Sequence, residues 1–171
     1  LGMGEGAGPA ELHPFGVQVR SKRDRWEESV KAIIPMFTKE DWEFHGEFHD
    51  FPARNVVPKP YQKPHPPLWV ACSNIQTIAD AGSWGMGALG LSYVSPDAAL
   101  AWVNKYYNQL LHHPNRLTEY AINPNVAIVN GFMCAETDEE ALEKAAGWTF
   151  FIFALSYYGR KGVDAPGKSN L

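Results

Sequence analysis

Ser73-Asn74-Ile75-Gln76-Thr77 places three short polar side chains where an apolar run, Leu68-Trp69-Val70-Ala71-Cys72, gives way to a helical pattern. At such a junction the first-turn amides lack partners inside the helix, and the helix dipole favours negative charge. Ser73, Asn74 and Thr77 can therefore cradle a phosphate. Ordinary N-capping by Ser73 or Asn74 accounts for the same letters, and the segment alone leaves both readings open. A second cluster, His45-x-Glu47-x-His49, would align three ligand types on one face of a strand, whose side-chain period is two. Gly46 and the charged Lys39–Glu43 stretch favour a solvated hairpin face, so no metal is expected. Gly2-x-Gly4-x-x-Ala7 matches the dinucleotide fingerprint in letters. That fingerprint requires a helix at once and an acid about 20 residues on. Pro9 and Pro14 are expected to break any helix there, and Asp24 falls at a charged helix start, so a tight turn is the expectation. His112-His113 follows a helix end, where imidazole suits the dipole. Pro58-Lys59-Pro60-Tyr61-Gln62-Lys63-Pro64-His65-Pro66-Pro67 has the composition of a polyproline ligand, but it leads directly into the apolar run and reads as a rigid entry to the core.

The elements that must position these residues follow from periodicity. Trp26, Val30, Ile33 and Phe37 are spaced as one face of a helix over Asp24–Phe37, its regular part ending near Ile34 because of Pro35. Trp42, Phe44, Gly46 and Phe48 alternate with polar residues and predict a short hairpin. Six of the 13 prolines lie between Pro52 and Pro67 and exclude helix or central strand there. Beyond them the spacing predicts a strand at Leu68–Cys72 and a helix from Ser73 to Ala81 stopped by Gly82. A strand at Ala88–Leu91 follows, then a helix opened by Ser95-Pro96-Asp97 with Leu100, Val103, Tyr107 and Leu110 as its apolar face. Asn125–Met133 reads as a third strand, and Thr137-Asp138-Glu139-Glu140 as a capping box opening a helix to about Tyr158, with Gly159 as its cap. Alternating strands and helices with short links give right-handed βα units and a parallel sheet.

Composition narrows the function classes. The 171 residues carry 15 basic and 19 acidic side chains, a net charge of −4, which argues against a nucleic-acid or anionic-membrane surface as partner. No apolar run reaches the roughly 18 residues of a membrane span, and no signal-like segment opens the chain, so a cytoplasmic location is expected. Cys72 and Cys134 are too few for a disulfide framework and form no CxxC pair. The chain opens at Leu1 and stops at Leu171 without a closing element, and both ends read as cuts through a longer protein.

The segment PKPYQKPHPPLWVACSNIQTIADAG, with LGMGEGAGPAELHPFGVQ before it, resembles the bacterial luciferase-like flavin monooxygenase family. Arg25-Trp26-Glu27-Glu28 and Phe48-His49-Asp50-Phe51 between them keep the family's spacing, and the likeness covers nearly the whole chain. It implies an α/β fold, part of a (βα)8 TIM barrel. Residues 1–171 would form one partial barrel domain supplying strands four to seven, with a hairpin and proline-rich insertion at about 38–67. It implies reduced FMN, or a deazaflavin in one branch, with the phosphate on Ser73, Asn74 and Thr77. The Gly4-Glu5-Gly6 turn would line the flavin, and Leu91 would approach the ring. Luciferase itself has arginine where this chain has Glu5, which removes one phosphate partner. His13 and Glu11, on the loop after the glycine turn, are the titratable catalytic candidates. The implied reaction is oxygenation of a small organic substrate by reduced flavin and oxygen, with a partner reductase supplying the flavin. A non-catalytic flavin-binding half-barrel is the alternative. A complete barrel takes about 250 residues, so this chain alone is too short to be a self-sufficient enzyme. Open sheet edges, with Leu89, Leu91, Val126 and Ile128 expected on the uncovered face, predict self-association into a homo-oligomer.

Overall fold

A computed structural model describes residues 1–90, 95–129 and 132–147. They fall into two compact units, Leu1–Asn130 and Gly131–Leu171. In the first unit β1 (Gly2–Met3), β4 (Trp69–Cys72), β5 (Gly87–Gly90) and β6 (Val126–Ile128) form one parallel sheet in that order. The strands are hydrogen-bonded in chain order, the topology of consecutive βα units of a barrel. Between β1 and β4 come a one-turn helix α1 (Pro9–Leu12), the helix α2 (Lys22–Ile33) and an antiparallel hairpin of β2 (Trp42–His45) and β3 (Asp50–Arg54). Helix α3 (Ile75–Trp84) links β4 to β5, and α4 (Pro96–His112) links β5 to β6. In the second unit a helix occupies residues 138–147, its start capped by Thr137 Oγ1, which accepts the Glu140 amide at 3.2 Å. Its extension to Tyr158 and the Gly159 cap lie outside the described residues, as do Leu91 and part of the Asn125–Met133 segment.

One side of the sheet is the core. Val70, Cys72 and Ala88 are buried beneath the helices with Ile78, Ala81, Trp84, Trp102 and Tyr106, and Val126 packs against that cluster. On the other side lie Ala71, Leu89 and Ala127, paired across the strands and out of step with Val70, Ala88 and Val126. This corrects one expectation. Of the four residues assigned to the uncovered face, Leu89 lies on it, whereas Val126 and Ile128 take the register of the helix-covered side; Leu91 is not described.

Helix details depart from the periodicity in instructive ways. Helix α2 starts two residues earlier than expected and tightens into a 3₁₀ turn at Ile34–Phe37, so Ile34 enters the core and Ile33 stays exposed. Pro9 opens α1 at its first turn instead of preventing a helix, since a missing amide costs nothing there. Gly82 does not stop α3. The helix runs on to Trp84 and ends at Gly85, whose φ of +73° suits glycine. Gly82 instead lets α4 come close, because a Cβ there would run into the carbonyl oxygen of Tyr106. Helix α4 buries Trp102 and Tyr106 and leaves Leu100 and Tyr107 exposed, while Leu110 and the half-buried Val103 keep to the face that spacing suggested, Leu110 packing against the core.

The amino ends of the strands are stitched by buried polar groups. Tyr106 Oη lies 2.8 Å from the Met86 carbonyl and 3.1 Å from that of Asn123, and Tyr120 Oη donates to the Trp84 carbonyl at 2.8 Å. Asn123 Nδ2 donates to the Leu68 carbonyl at 3.0 Å, tying the start of β4 to the lead-in of β6. Burial pushes the Tyr120 phenol up to about 12 and the Tyr106 phenol higher still, so both remain neutral donors at physiological pH.

In an isolated helix Gly→Ala stabilises by about 1 kcal/mol. At Gly82 the sign reverses: Gly82→Ala should cost roughly 1–3 kcal/mol as overpacking against α4. The midpoint of urea unfolding checks it, and a stabilised variant would contradict the close approach.

Candidate functional site

Parallel pairing brings the carboxyl ends of β1 and β4 to one edge. Gly2 pairs with Trp69 and Met3 with Val70, so Gly4 follows alongside Ala71, and the Gly4-Glu5-Gly6 turn emerges beside Cys72-Ser73. A Cβ built on Gly4 would stand 3.4 Å from the Ala71 methyl, and both residues are exposed, so the sheet face at this edge is bare. Gly6 has φ +80°, and a side chain there would collide with Leu12, 2.7 Å away. The turn thus requires glycine at Gly6, whereas Gly4 makes only ordinary contact with Ala71.

At the start of α3, Asn74 is the N-cap. Its Oδ1 accepts the Gln76 and Thr77 amides, both at 3.0 Å. Thr77 Oγ1 returns the bond, accepting the Asn74 amide at 3.3 Å and donating to the Asn74 carbonyl at 2.9 Å. This is a reciprocal capping box. Asn74 and Thr77 are therefore engaged by the helix itself, and the Ile75 amide is the first-turn donor that the box does not use. Ser73 through Gln76 are exposed, whereas Thr77 is buried. Cys72 lies directly behind the junction; burial pushes its thiol up to about 11, so it is no nucleophile at neutral pH.

Charged side chains bind the two loops from below. Glu5 meets Arg23 Nε at 2.8 Å and Lys22 Nζ at 3.4 Å, and Arg23 Nη1 lies 3.3 Å from Asp80 on α3. Glu5, Arg23, Trp26, Val70, Ala71, Thr77 and Trp84 enclose a cavity of about 10 Å3, space for no more than a water. A larger ligand does not fit inside it. A cleft of about 610 Å3 between His65, Arg116 and Tyr120 lies among segments that precede the strands, on the side where barrels carry stability and not ligands.

The catalytic candidates separate. Glu11 Oε2 accepts the Ala7 amide at 2.8 Å and so braces the glycine loop. His13 begins a 3₁₀ turn on the same loop and is exposed. The His45/Glu47/His49 cluster does not converge: His45 Nδ1 lies 2.6 Å from Asp50 Oδ1, while His49 Nε2 lies 2.8 Å from Ser29 Oγ. Glu47 contributes its backbone, and no group of three metal-ligating residues occurs among the described residues. Sequence reasoning missed what organises this turn. The Glu28 carboxylate accepts three successive amides, of Glu47 at 3.0 Å, Phe48 at 2.7 Å and His49 at 2.8 Å. Gly46 admits it, since a Cβ there would meet the carboxylate. The signal was a lone glycine in a strand pattern, which marks a close approach.

Four parallel strands in chain order, with glycine-shaped and helix-capped loops at their carboxyl edge, define a βα-barrel segment, and it is at that edge that such barrels carry their ligands. The profile of the luciferase-like monooxygenase family matches residues 1–169, and the chain belongs to that family. Among curated proteins it is similar to the oxygenase component of a flavin-dependent trigonelline monooxygenase of Acinetobacter baylyi, 37% identical over 73 residues, 42% of this chain and 20% of that protein. It is also similar to an FMNH2-dependent dimethylsulfone monooxygenase of Pseudomonas putida, 38% identical over 45 residues, 26% of this chain and 12% of that protein. Among solved structures, monooxygenase RslO1 of Streptomyces bottropensis superposes with a TM-score of 0.70 at 23% identity over 87% of this chain and 45% of that one, a likeness of fold. The chain thus spans less than half the length of the proteins it matches.

Glu28 gives a pH-dependent test. Burial alone would raise its pKa, but the Phe48, His49 and Glu47 amides, with His49 nearby, outweigh that and hold it below the ordinary 4.5. A depressed folded-state pKa adds stability that is present above the unfolded value and is lost as pH falls through the folded one. Glu28→Gln should therefore lower the thermal midpoint at neutral pH, with the two proteins converging as pH drops below about 4. Parallel pH curves would show that the carboxylate charge is not what holds the turn.

Proposed function

We propose that the chain carries the flavin-phosphate and ring-lining loops of a flavin-dependent monooxygenase acting on a small organic substrate with reduced FMN and oxygen. The observation that carries this reading is the juxtaposition, in a chain of the luciferase-like family, of the glycine turn and the α3 start on one edge of a bare sheet face. The residues fit a planar anionic group. Gly4 and Ala71 leave room for a flat ring, and the capping box pre-orders the loop that meets the phosphate. Reduced flavin, when bound, supplies the electrons that activate oxygen.

Within this reading the Ser73 hydroxyl and the Ile75 amide contact the phosphate, assisted by the positive end of α3. Asn74 and Thr77 hold those donors in place, since their own side chains are bonded to one another's backbone. The Gly4-Glu5-Gly6 turn lines the ring through its backbone, with Glu5 turned down onto Arg23 and Lys22. His13, whose ring makes no hydrogen bond among the described residues, faces solvent on the loop above, where a substrate proton could pass to its imidazole. The reduced cofactor would arrive from a separate flavin reductase. The relatives' names support flavin as the cofactor: one is flavin-dependent, the other FMNH2-dependent.

Ser73→Ala removes one hydrogen bond to a charged group, worth roughly 1.5–3 kcal/mol. FMN affinity, read by quenching of flavin fluorescence, should fall on the order of tenfold or more, while riboflavin affinity stays the same. Equal losses for the two ligands would remove Ser73 from the phosphate site. Absence of FMN binding by the unmodified chain would count against the whole reading.

A further inference from the structure

We propose that Arg23 is a positioning residue that locks the turn after β1 to the first turns of α3, so that the two halves of the flavin site keep a fixed spacing; this rests on the flavin reading above. One guanidinium serves both loops. Its Nε lies 2.8 Å from Glu5 Oε2, its Nη2 3.4 Å from Glu5 Oε1, and its Nη1 3.3 Å from Asp80 Oδ2. Asp80 carries the constraint one turn back along α3, because its Oδ1 accepts Gln76 Nε2 at 2.9 Å in the first turn. Lys22 secures the other end, donating to the Gly6 carbonyl at 2.9 Å. The guanidinium also stacks over Trp84, 5.3 Å from the ring centroid, and Trp84 packs on Trp26 at 4.9 Å, so the fork is anchored on the core.

The same geometry argues against direct contact with a phosphate. Both sides of the guanidinium already face carboxylates, and an incoming anion would have to displace Glu5 or Asp80. Lysine could not take over, because a point charge cannot bridge two carboxylates in fixed directions.

Arg23→Met keeps the stem over Trp84 and deletes the fork. Two readouts apply to the full chain: hydrogen exchange of the backbone amides at 4–8 and 73–78 without flavin, and titration with FMN and with riboflavin. Arg23→Met should speed exchange in both segments together and weaken FMN and riboflavin by the same factor, on the order of tenfold. Glu5→Gln should cost less in the Arg23→Met background than in the parent chain, because part of its effect passes through Arg23 and only the Lys22 pair remains to be lost. Should Arg23→Met fail to fold, Arg23→Lys answers the same question, with faster exchange in at least one segment despite the retained charge. A loss confined to FMN, with exchange unchanged, would make Arg23 a phosphate ligand and overturn the proposal. Unchanged exchange in both segments, or additive losses with Glu5→Gln, would overturn it too. Faster exchange in both segments in a chain that binds no flavin would support the strut and defeat the flavin reading alone.

Discussion

The buried Tyr106 hydroxyl joins the polypeptide at the point where strand order is decided. It lies within hydrogen-bond reach of the Met86 carbonyl just before β5 and of the Asn123 carbonyl before β6, while Asn123 reaches the Leu68 carbonyl before β4. Three strands are thereby tied at their amino ends, and the Leu68 and Asn123 carbonyls also accept the Gly87 and Asn125 amides, both at 2.9 Å. A buried acceptor left without its donor costs about 1–3 kcal/mol, comparable with a sizeable part of a domain's stability. Parallel strands lack the tight hairpins that set register elsewhere, and here these side-chain bonds add to the backbone ladder that pairs Val70 with Ala88 and Ala88 with Val126. With the register set, Val70, Ala88 and Val126 must face the helices together, and Ala71, Leu89 and Ala127 must face away together.

The consequence appears at the opposite edge. There the carboxyl ends of β1 and β4, paired along the sheet, emerge side by side, at the edge where barrels carry their ligand loops. Their shaping is local chemistry: a left-handed glycine at Gly6, a carboxylate brace from Glu11 to the Ala7 amide, and the Asn74–Thr77 box. The two ends divide the labour. Buried neutral hydroxyls hold the strands at their amino ends, and partly exposed ion pairs hold the loops at the carboxyl ends.

How much of this was legible in the sequence depended on the range of the deciding contact. The β4 strand, the Ser95 cap, the Asn74 junction and the proline-rich lead-in are written in neighbouring residues, and each lies where periodicity and capping rules put it. Gly82 shows where local reading fails. Its role is set by Tyr106, 24 positions away, which no window over α3 contains. In α4, Trp102 and Tyr106 are buried where spacing named Leu100 and Tyr107. Glu28 escaped notice for a related reason. A single acid on a helix carries no motif, yet it binds three amides about 20 residues downstream. In the candidate site the residue types were legible and their partnerships were not: Glu5 and Glu11 are both acids on one loop, and only geometry shows that each is already bonded.

Charge balance around the proposed cradle then limits what kind of binding it can offer. Glu5 and Asp80 offset Lys22 and Arg23, and Glu11 adds a carboxylate on the Ala7 amide, so these groups around the two loops carry no positive excess. What remains to attract an anion is directional, the Ile75 amide and the end of α3, and not a cationic field. Amides and hydroxyls of this kind bind by geometry, and their pull falls away within a turn of the helix. Such a site favours a phosphate that arrives already attached to a group held elsewhere, here the bare face of Gly4 and Ala71, over a free anion drawn in by charge. In the proposed site, surroundings without cationic excess and a flat apolar shelf are thus complementary: the shelf would supply the adhesion, and the capped helix start the orientation.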